Sequence, residues 1–338
     1  MPPETTSSVA ASPEPRLARV LPAQWRRPLA MLTLGLTALV LVCWREWGEM
    51  LHQWWNIDTY NHILLLPPII AWLVWLKAEA LARMSPRAFG PGLGLVAAGL
   101  ALWLTGRITD INLVAHAGAV GAVQGAVVAM LGLRVCALLA LPIALGAFLV
   151  PFGDEIIPFL QAITADMAIA LTLWSGIPAT IEGIYIDTPA GLFIVAEECS
   201  GVKFLIAMVT LAAIVCFTRF RSWNRRALFM AASIIVPVLA NGVRAWGTIY
   251  IAQFAGVEFA AGFDHIFYGW IFFAIVVIVV LAGAWRFFES EPEEYGPSAE
   301  WVGRSALISR HEGTGTSLRA VLAGIAALSL LAALAATL

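Results

Sequence analysis

The chain reads as an all-α polytopic membrane protein, a bundle of about eight transmembrane helices with a small external interfacial helix and β-hairpin, and a further apolar run at the C-terminus. Three observations predict this. Hydrophobic residues make up 60% of the 338, only 12% are charged, and mean hydropathy is +0.84, whereas soluble domains carry roughly 45–50% apolar and about 25% charged residues. The apolar residues fall in runs near the roughly 20 that a hydrocarbon core about 30 Å thick requires. Lys and Arg gather in alternate connections, as cytoplasmic loops do.

The balance of charge also removes function classes. A net charge of -2 leaves no basic excess to neutralise phosphates, so no nucleic-acid partner is expected. Cys43, Cys136, Cys199 and Cys216 are scattered without paired spacing, which speaks against a disulfide framework and a zinc cluster. No His-Glu-x-x-His helix occurs, and neither metal nor cofactor is expected.

Residues 1–27, rich in Pro, Ser, Thr and Ala with Arg16, Arg19, Arg26 and Arg27 at the end, read as a disordered cytosolic tail. Cys43, Trp44, Arg45 and Glu46 follow the first apolar run where a signal peptide would need small residues, so that run is expected to be retained. The eight spans are placed at about 28–44, 62–77, 91–106, 111–132, 135–151, 202–218, 227–250 and 265–285. Pro67, Pro68 and Pro142 interrupt the second and fifth. Residues 28–287 thus form one transmembrane domain, 288–317 a cytosolic linker and 318–338 an additional candidate span.

With the N-terminus inside, the cytosolic connections hold Lys77, Arg83, Arg87, Arg134, Arg219, Arg221, Arg225, Arg226 and Arg286, and the outer ones only Arg45 and Arg107. Lys203 and Arg244 lie within spans, near their outer ends. The outer segment 152–200 has no Lys or Arg but carries Asp154, Glu155, Asp166, Glu182, Asp187, Glu197 and Glu198. Its first part, 156–174, is apolar, yet Asp166, Pro158 and Pro178 argue for an interfacial helix over a plain span. The β-branched runs 180–187 and 191–196 around Asp187-Thr188-Pro189-Ala190-Gly191 predict a hairpin leading into Cys199.

Topology then brings three side chains to one membrane depth. Cys199 precedes the sixth span, Arg244 falls late in the outward-running seventh, and His265 opens the inward-running eighth. Cys199 sits where a strand gives way to a helix, and helix N-terminal amides lower a thiol's pKa. Lys203, one turn on, acts in the same direction, while Glu197 and Glu198 oppose it unless they point away. Ser200, directly after the cysteine, suits a cap or backbone organiser. A blander reading makes Cys199 a small buried hydrophobe or pairs it with Cys43. An arginine at a span's centre costs about 2.5–3.5 kcal/mol, so Arg244 either has a partner or snorkels to headgroups. Asn241, one turn earlier, is placed to orient its guanidinium. His265 as an interfacial residue capped by Asp264 is the bland alternative there. Together the three support a thiolate nucleophile at Cys199, a general acid and base at His265, and oxyanion stabilisation by Arg244.

At these residues the sequence resembles the exosortase family, over about residues 30–287. The resemblance rests on Glu197-Glu198-Cys199-Ser200-Gly201 with Lys203 after it, on Asn241-Gly242-Val243-Arg244, and on His265 with Gly269-Trp270. Tyr60-Asn61-His62-Ile63-Leu64-Leu65-Leu66-Pro67 and Pro151-Phe152-Gly153-Asp154-Glu155 support it. Glu198 departs from the small residue usual before the cysteine, and Lys203 stands where Arg is frequent. The resemblance, most like the exosortase A type, implies that Cys199, Arg244 and His265 are catalytic. It implies exported protein substrates ending in a Pro-Glu-Pro motif, a span and a basic tail, processed at the outer face of the inner membrane, with exopolysaccharide biosynthesis proteins as neighbours. The competing class is a transporter or assembly component of an exopolysaccharide export system, which would use Arg244 and His265 without needing the sulfur.

Overall fold

The computed structural model describes residues 22–263, 271–312 and 315–337. Ten of its helices organise the fold: α1 (Ala23–Val42), α2 (Trp44–Asn56), α3 (Leu66–Leu76), α4 (Gly92–Ile108), α5 (Asn112–Leu131), α6 (Ile157–Trp174), α7 (Val202–Arg219), α8 (Trp223–Ala255), α9 (Phe273–Trp285) and α10 (Leu318–Ala335). Between α6 and α7 lies an antiparallel sheet of β1 (Thr180–Glu182), β2 (Tyr185–Thr188) and β3 (Gly191–Ile194), in that order. The expected hairpin is β2–β3. The segment 180–187 is itself folded back at Gly183, whose φ of 60° permits the tight turn.

Among the described residues, six stretches are long and apolar enough to cross a membrane: Ala23–Val42, Asn112–Leu131, Asp154–Trp174, Glu197–Arg219, Trp223–Ala255 and Leu318–Ala335. A seventh is gained if Trp44–Asn56 and Asn61–Leu76, bent by 102°, form one broken span. The expected eight therefore are not all continuous helices. The fifth is divided into Leu133–Leu138, Ala140–Leu145 and Gly146–Leu149, because Pro142 has no N–H to offer the carbonyl four residues back. The fourth expected position is a 20-residue helix, the third one of 17. Of the eighth, residues 264–270 lie outside the described part and α9 accounts for the rest. The connection expected between the first two spans is largely α2, which buries Glu46, Met50 and Trp54 along one face at a spacing of four.

Two helices meet backbone to backbone. A Cβ on Gly99 or Gly106 of α4 would collide with Ala122 or Ala115 of α5, and one on Gly118 or Gly125 of α5 would collide with Trp103 or Val96 of α4. Small residues on both faces permit this approach, the packing that apolar helices use where lipid offers no hydrophobic gain. α1 and α10 pack over the pair, with Ile325 of α10 fully buried against Gly35 of α1.

Contacts sort the connections into the two ends that charge patterning predicts. At one end, Trp25 Nε1 donates to Leu81 O and Met84 O, and Arg134 donates to Ser309 Oγ. There too, Arg219, Arg221 and Arg225 pair with Glu291, Glu294 and Glu289 at 3.0, 2.6 and 3.1 Å. The 288–317 linker is thus strapped down: Tyr295 is buried, its hydroxyl donates to Leu73 O at 2.8 Å, and Lys77 Nζ lies 4.4 Å from its ring centre. At the other end, Tyr60 donates to Asp154, Trp54 to Leu149 O, and Asn241 to Cys199 O.

α6 belongs to this second end. Pro158 sits in its first turn, where a missing N–H costs nothing, and Asp166 is exposed, so neither residue breaks the helix. The interfacial helix of the sequence reading is therefore a continuous element long enough to span. Its start nonetheless lies beside Val202 and Ile206 in the first turns of α7, and its end is tied to Trp246 of α8. Both ends keep to one end of the α7–α8 pair.

Candidate active site

The polypeptide leaves β3, turns through a short 3-10 segment at Glu197–Cys199 and enters α7. Gly201 makes the turn possible: its φ of 81° is the left-handed region, and it caps α7. Ser200 is buried, and its Oγ accepts the Val202 N–H at 3.3 Å, so it organises the turn as its position suggests. Glu197 and Glu198 are exposed, Lys203 is half-buried with Nζ 5.1 Å from the Phe204 ring centre, and Cys199 is half-buried.

Cys199 differs from the other three cysteines, all of which are buried. Cys43 is packed with Leu39 in the α1 core, whereas Cys199 packs with Ile186, Val195 and Ile249, so the Cys43–Cys199 pairing does not form.

Arg244 comes to the same place from α8. It is 7% exposed, and a cleft of about 60 Å³ is lined by Cys199, Arg244, Phe193, Val195, Thr248 and neighbouring apolar side chains. Its guanidinium carbon is 5.9 Å from the centre of the Phe204 ring, on which Phe273 also stacks at 4.9 Å. A cation over a desolvated ring is held by about 0.5–2 kcal/mol. Phe204 is thus one neighbour of the Arg244 guanidinium, and Arg244 is buried rather than snorkelling to the surface.

Asn241 has a different task from the one its spacing suggests. Its Nδ2 donates to Cys199 O at 2.8 Å and to Thr164 Oγ1 at 3.0 Å, joining the cysteine turn to α6 and α8. Gln161, one turn before Thr164, donates to Val195 O at 3.0 Å. Sequence reasoning missed Gln161, Thr164 and Phe204. Two polar residues three apart in an apolar helix were a signal for the first two; Phe204 carried none beyond its place beside Lys203. His265, the expected base, lies outside the described residues, as do Asp264, Gly269 and Trp270.

The site therefore offers a partly accessible thiol, a buried guanidinium on the wall of the same cleft, and a turn held by side-chain amides. The family model for transmembrane exosortases matches residues 54–282, which include every one of these groups. The chain belongs to the transmembrane exosortase family. No curated protein and no solved structure gives a significant match. Membership and the apolar helices together make this exosortase a multi-pass membrane protein, and they indicate a sorting transpeptidase.

Proposed function

We propose that this exosortase is a cysteine peptidase or transpeptidase of the exosortase A type. It processes exported proteins that end in Pro-Glu-Pro, a membrane span and a basic tail, at the outer face of the inner membrane, in a cell that makes exopolysaccharide. The observation that carries the reading is the single cleft shared by Cys199 and Arg244.

In this reading the Cys199 thiolate attacks the scissile carbonyl carbon, and the carbonyl electrons move onto oxygen. Arg244 faces the resulting negative charge or the glutamate of the signal; a fixed cation in a water-poor cleft serves either purpose at no cost of reorganisation. His265 takes the thiol proton and returns it to the departing amine, so the C–N bond breaks and a thioester remains. Water resolves the thioester to a carboxylate, and an amine or hydroxyl acceptor resolves it to a new amide or ester. The orientation with the N-terminus in the cytosol follows the Lys and Arg bias. The strapped basic end then faces the cytosol and the cleft faces the periplasm.

The test is coexpression of a tagged protein bearing the tripartite signal with wild type, Cys199→Ala or Cys199→Ser at matched membrane levels. Processing by wild type and its loss in both variants is the expected result. Undiminished processing in both would sink the nucleophile assignment and leave a binding or transport role for Arg244.

A further inference from the structure

The sheet ends beside the cleft with one edge unpaired among the described residues. In the β2–β3 ladder Tyr185 faces Ile194, Ile186 faces Phe193 and Thr188 faces Gly191, and the bond from Val195 N to Ile184 O continues this register. Antiparallel pairs alternate between hydrogen-bonded and non-bonded positions. With Ile184 and Val195 a bonded pair, Phe193 and Gly191 also direct their backbone groups to β2. Leu192 and Ile194 direct theirs outward. Ile194 O is taken by Ala196 N. That leaves Leu192 N–H, Leu192 C=O and Ile194 N–H along the outer edge, without a hydrogen-bond partner among the described residues. The side chains of Leu192 and Ile194 are 58% and 52% exposed. Ile194 and Val195 also line the cleft that holds Cys199 and Arg244, so the edge runs directly into it.

Open strand edges are normally covered or blocked because they recruit other chains. Here the other edge, β1, carries Glu182 and does not border the cleft. We infer that the outer edge of β3 is the substrate-binding edge, on which an extended peptide adds as a fourth strand and delivers its carbonyl to Cys199. This rests on the reading above. Main-chain bonds then supply affinity, and the side-chain pattern supplies selectivity.

The pattern of the signal fits. An added antiparallel strand bonds to an edge only through alternate residues, so in Pro-x-Pro a middle residue opposite Leu192 donates to Leu192 O and accepts from Leu192 N. Both prolines then fall where no N–H is called for, the placement that prolines tolerate at a sheet edge. A second bonded residue, two positions away, is available to Ile194 N–H. The buried cation of Arg244 in the adjoining cleft complements an acidic peptide.

The experiment uses the full chain in membranes with the tagged substrate. Leu192→Pro and Ile194→Pro each delete an outward N–H without touching the β2–β3 ladder; the same change at Ile181, the outward-facing position of β1, is the matched control. Processing falls by about two- to tenfold with each β3 proline, roughly one hydrogen bond's worth, falls less with Leu192→Ala or Ile194→Ala, and is unchanged with Ile181→Pro. On the substrate side, Pro-Gln-Pro retains the middle N–H and Pro-Pro-Pro lacks it, and only the second should lose this contribution. Equal processing by Leu192→Pro, Ile194→Pro and wild type overturns the edge assignment while leaving the peptidase reading intact. In Cys199→Ala, a photocrosslinker at the middle residue of the signal should capture peptides containing residues 191–196. Capture without cleavage by wild type would support the edge and refute the chemistry, and capture elsewhere would refute the edge.

Discussion

Asn241 Nδ2 donates to the main-chain oxygen of Cys199 at 2.8 Å, across 42 residues of sequence. The bond holds the residue that carries the thiol to the helix that carries Arg244. It is one direct tie between the turn that carries the nucleophile and the helix that carries the cation.

Asn241→Ala leaves Cys199 O and Thr164 Oγ1 without this donor in a buried place. The expected cost is about 1–3 kcal/mol of stability. Processing should fall at least about tenfold beyond what lowered abundance explains. Asn241→Asp, of similar shape but without the donor group, should fail as alanine does. Matched-level processing assays with thermal melts in detergent check this; an active Asn241→Ala protein would show that the turn holds itself.

Gly201→Ala adds two penalties. The left-handed φ of 81° costs a non-glycine residue roughly 1–2 kcal/mol, and the new methyl would stand 2.7 Å from Asn241 Cγ. Only the second penalty is relieved by shrinking Asn241. A double-mutant cycle of Gly201→Ala with Asn241→Ala should therefore be less than additive. Strict additivity in melting measurements would mean that the methyl finds room another way.

Gly118→Ala should destabilise the bundle by about 1–3 kcal/mol or more, since its methyl meets the backbone of Trp103. Gly94 in the same α4–α5 pair has open space around its Cβ position, so Gly94→Ala should be neutral or stabilising by up to about 1 kcal/mol. Melting of the two variants beside wild type distinguishes close packing from mere helix propensity.

Glu289 accepts from the backbone N–H groups of Ser222 and Arg221, at 2.9 and 2.6 Å. Those bonds, with Arg225 nearby, hold its carboxyl below the usual range. A depressed folded pKa contributes stability above the unfolded value and loses it as pH falls through the folded value. The 288–317 strap should thus resist proteolysis at neutral pH and open in acid below the ordinary carboxylate range. Glu289→Gln should be more readily nicked at neutral pH and show a weaker acid dependence, as read by digestion of inside-out vesicles.

Processing of the tripartite signal by wild type, and its absence in Cys199→Ala, is the prediction on which the catalytic reading depends. Arg244→Lys should also be impaired, because an ammonium does not replace a planar guanidinium lying over Phe204.

The sequence by itself determined the solvent of this protein, which connections gather its basic residues, and the common depth of Cys199 and Arg244 along their spans. These are one-dimensional quantities: run length against bilayer thickness, charge against side, and position along a span against depth. That is why the two ends of the bundle could be read before any contact was known, and why Cys199 and Arg244 were expected together. What only tertiary structure decided is lateral. Pro142 divided one expected span, Pro158 merely began a helix, and residues 45–56 became α2, because a helix boundary depends on which carbonyl is left unpaired and which face finds a neighbour. Asn241 turned to Cys199 rather than to Arg244 because Gly201 leaves space for it there and Thr164 of α6 takes the second N–H of its amide. Sequence spacing places a side chain on a helix face, but the partner opposite that face is chosen by packing.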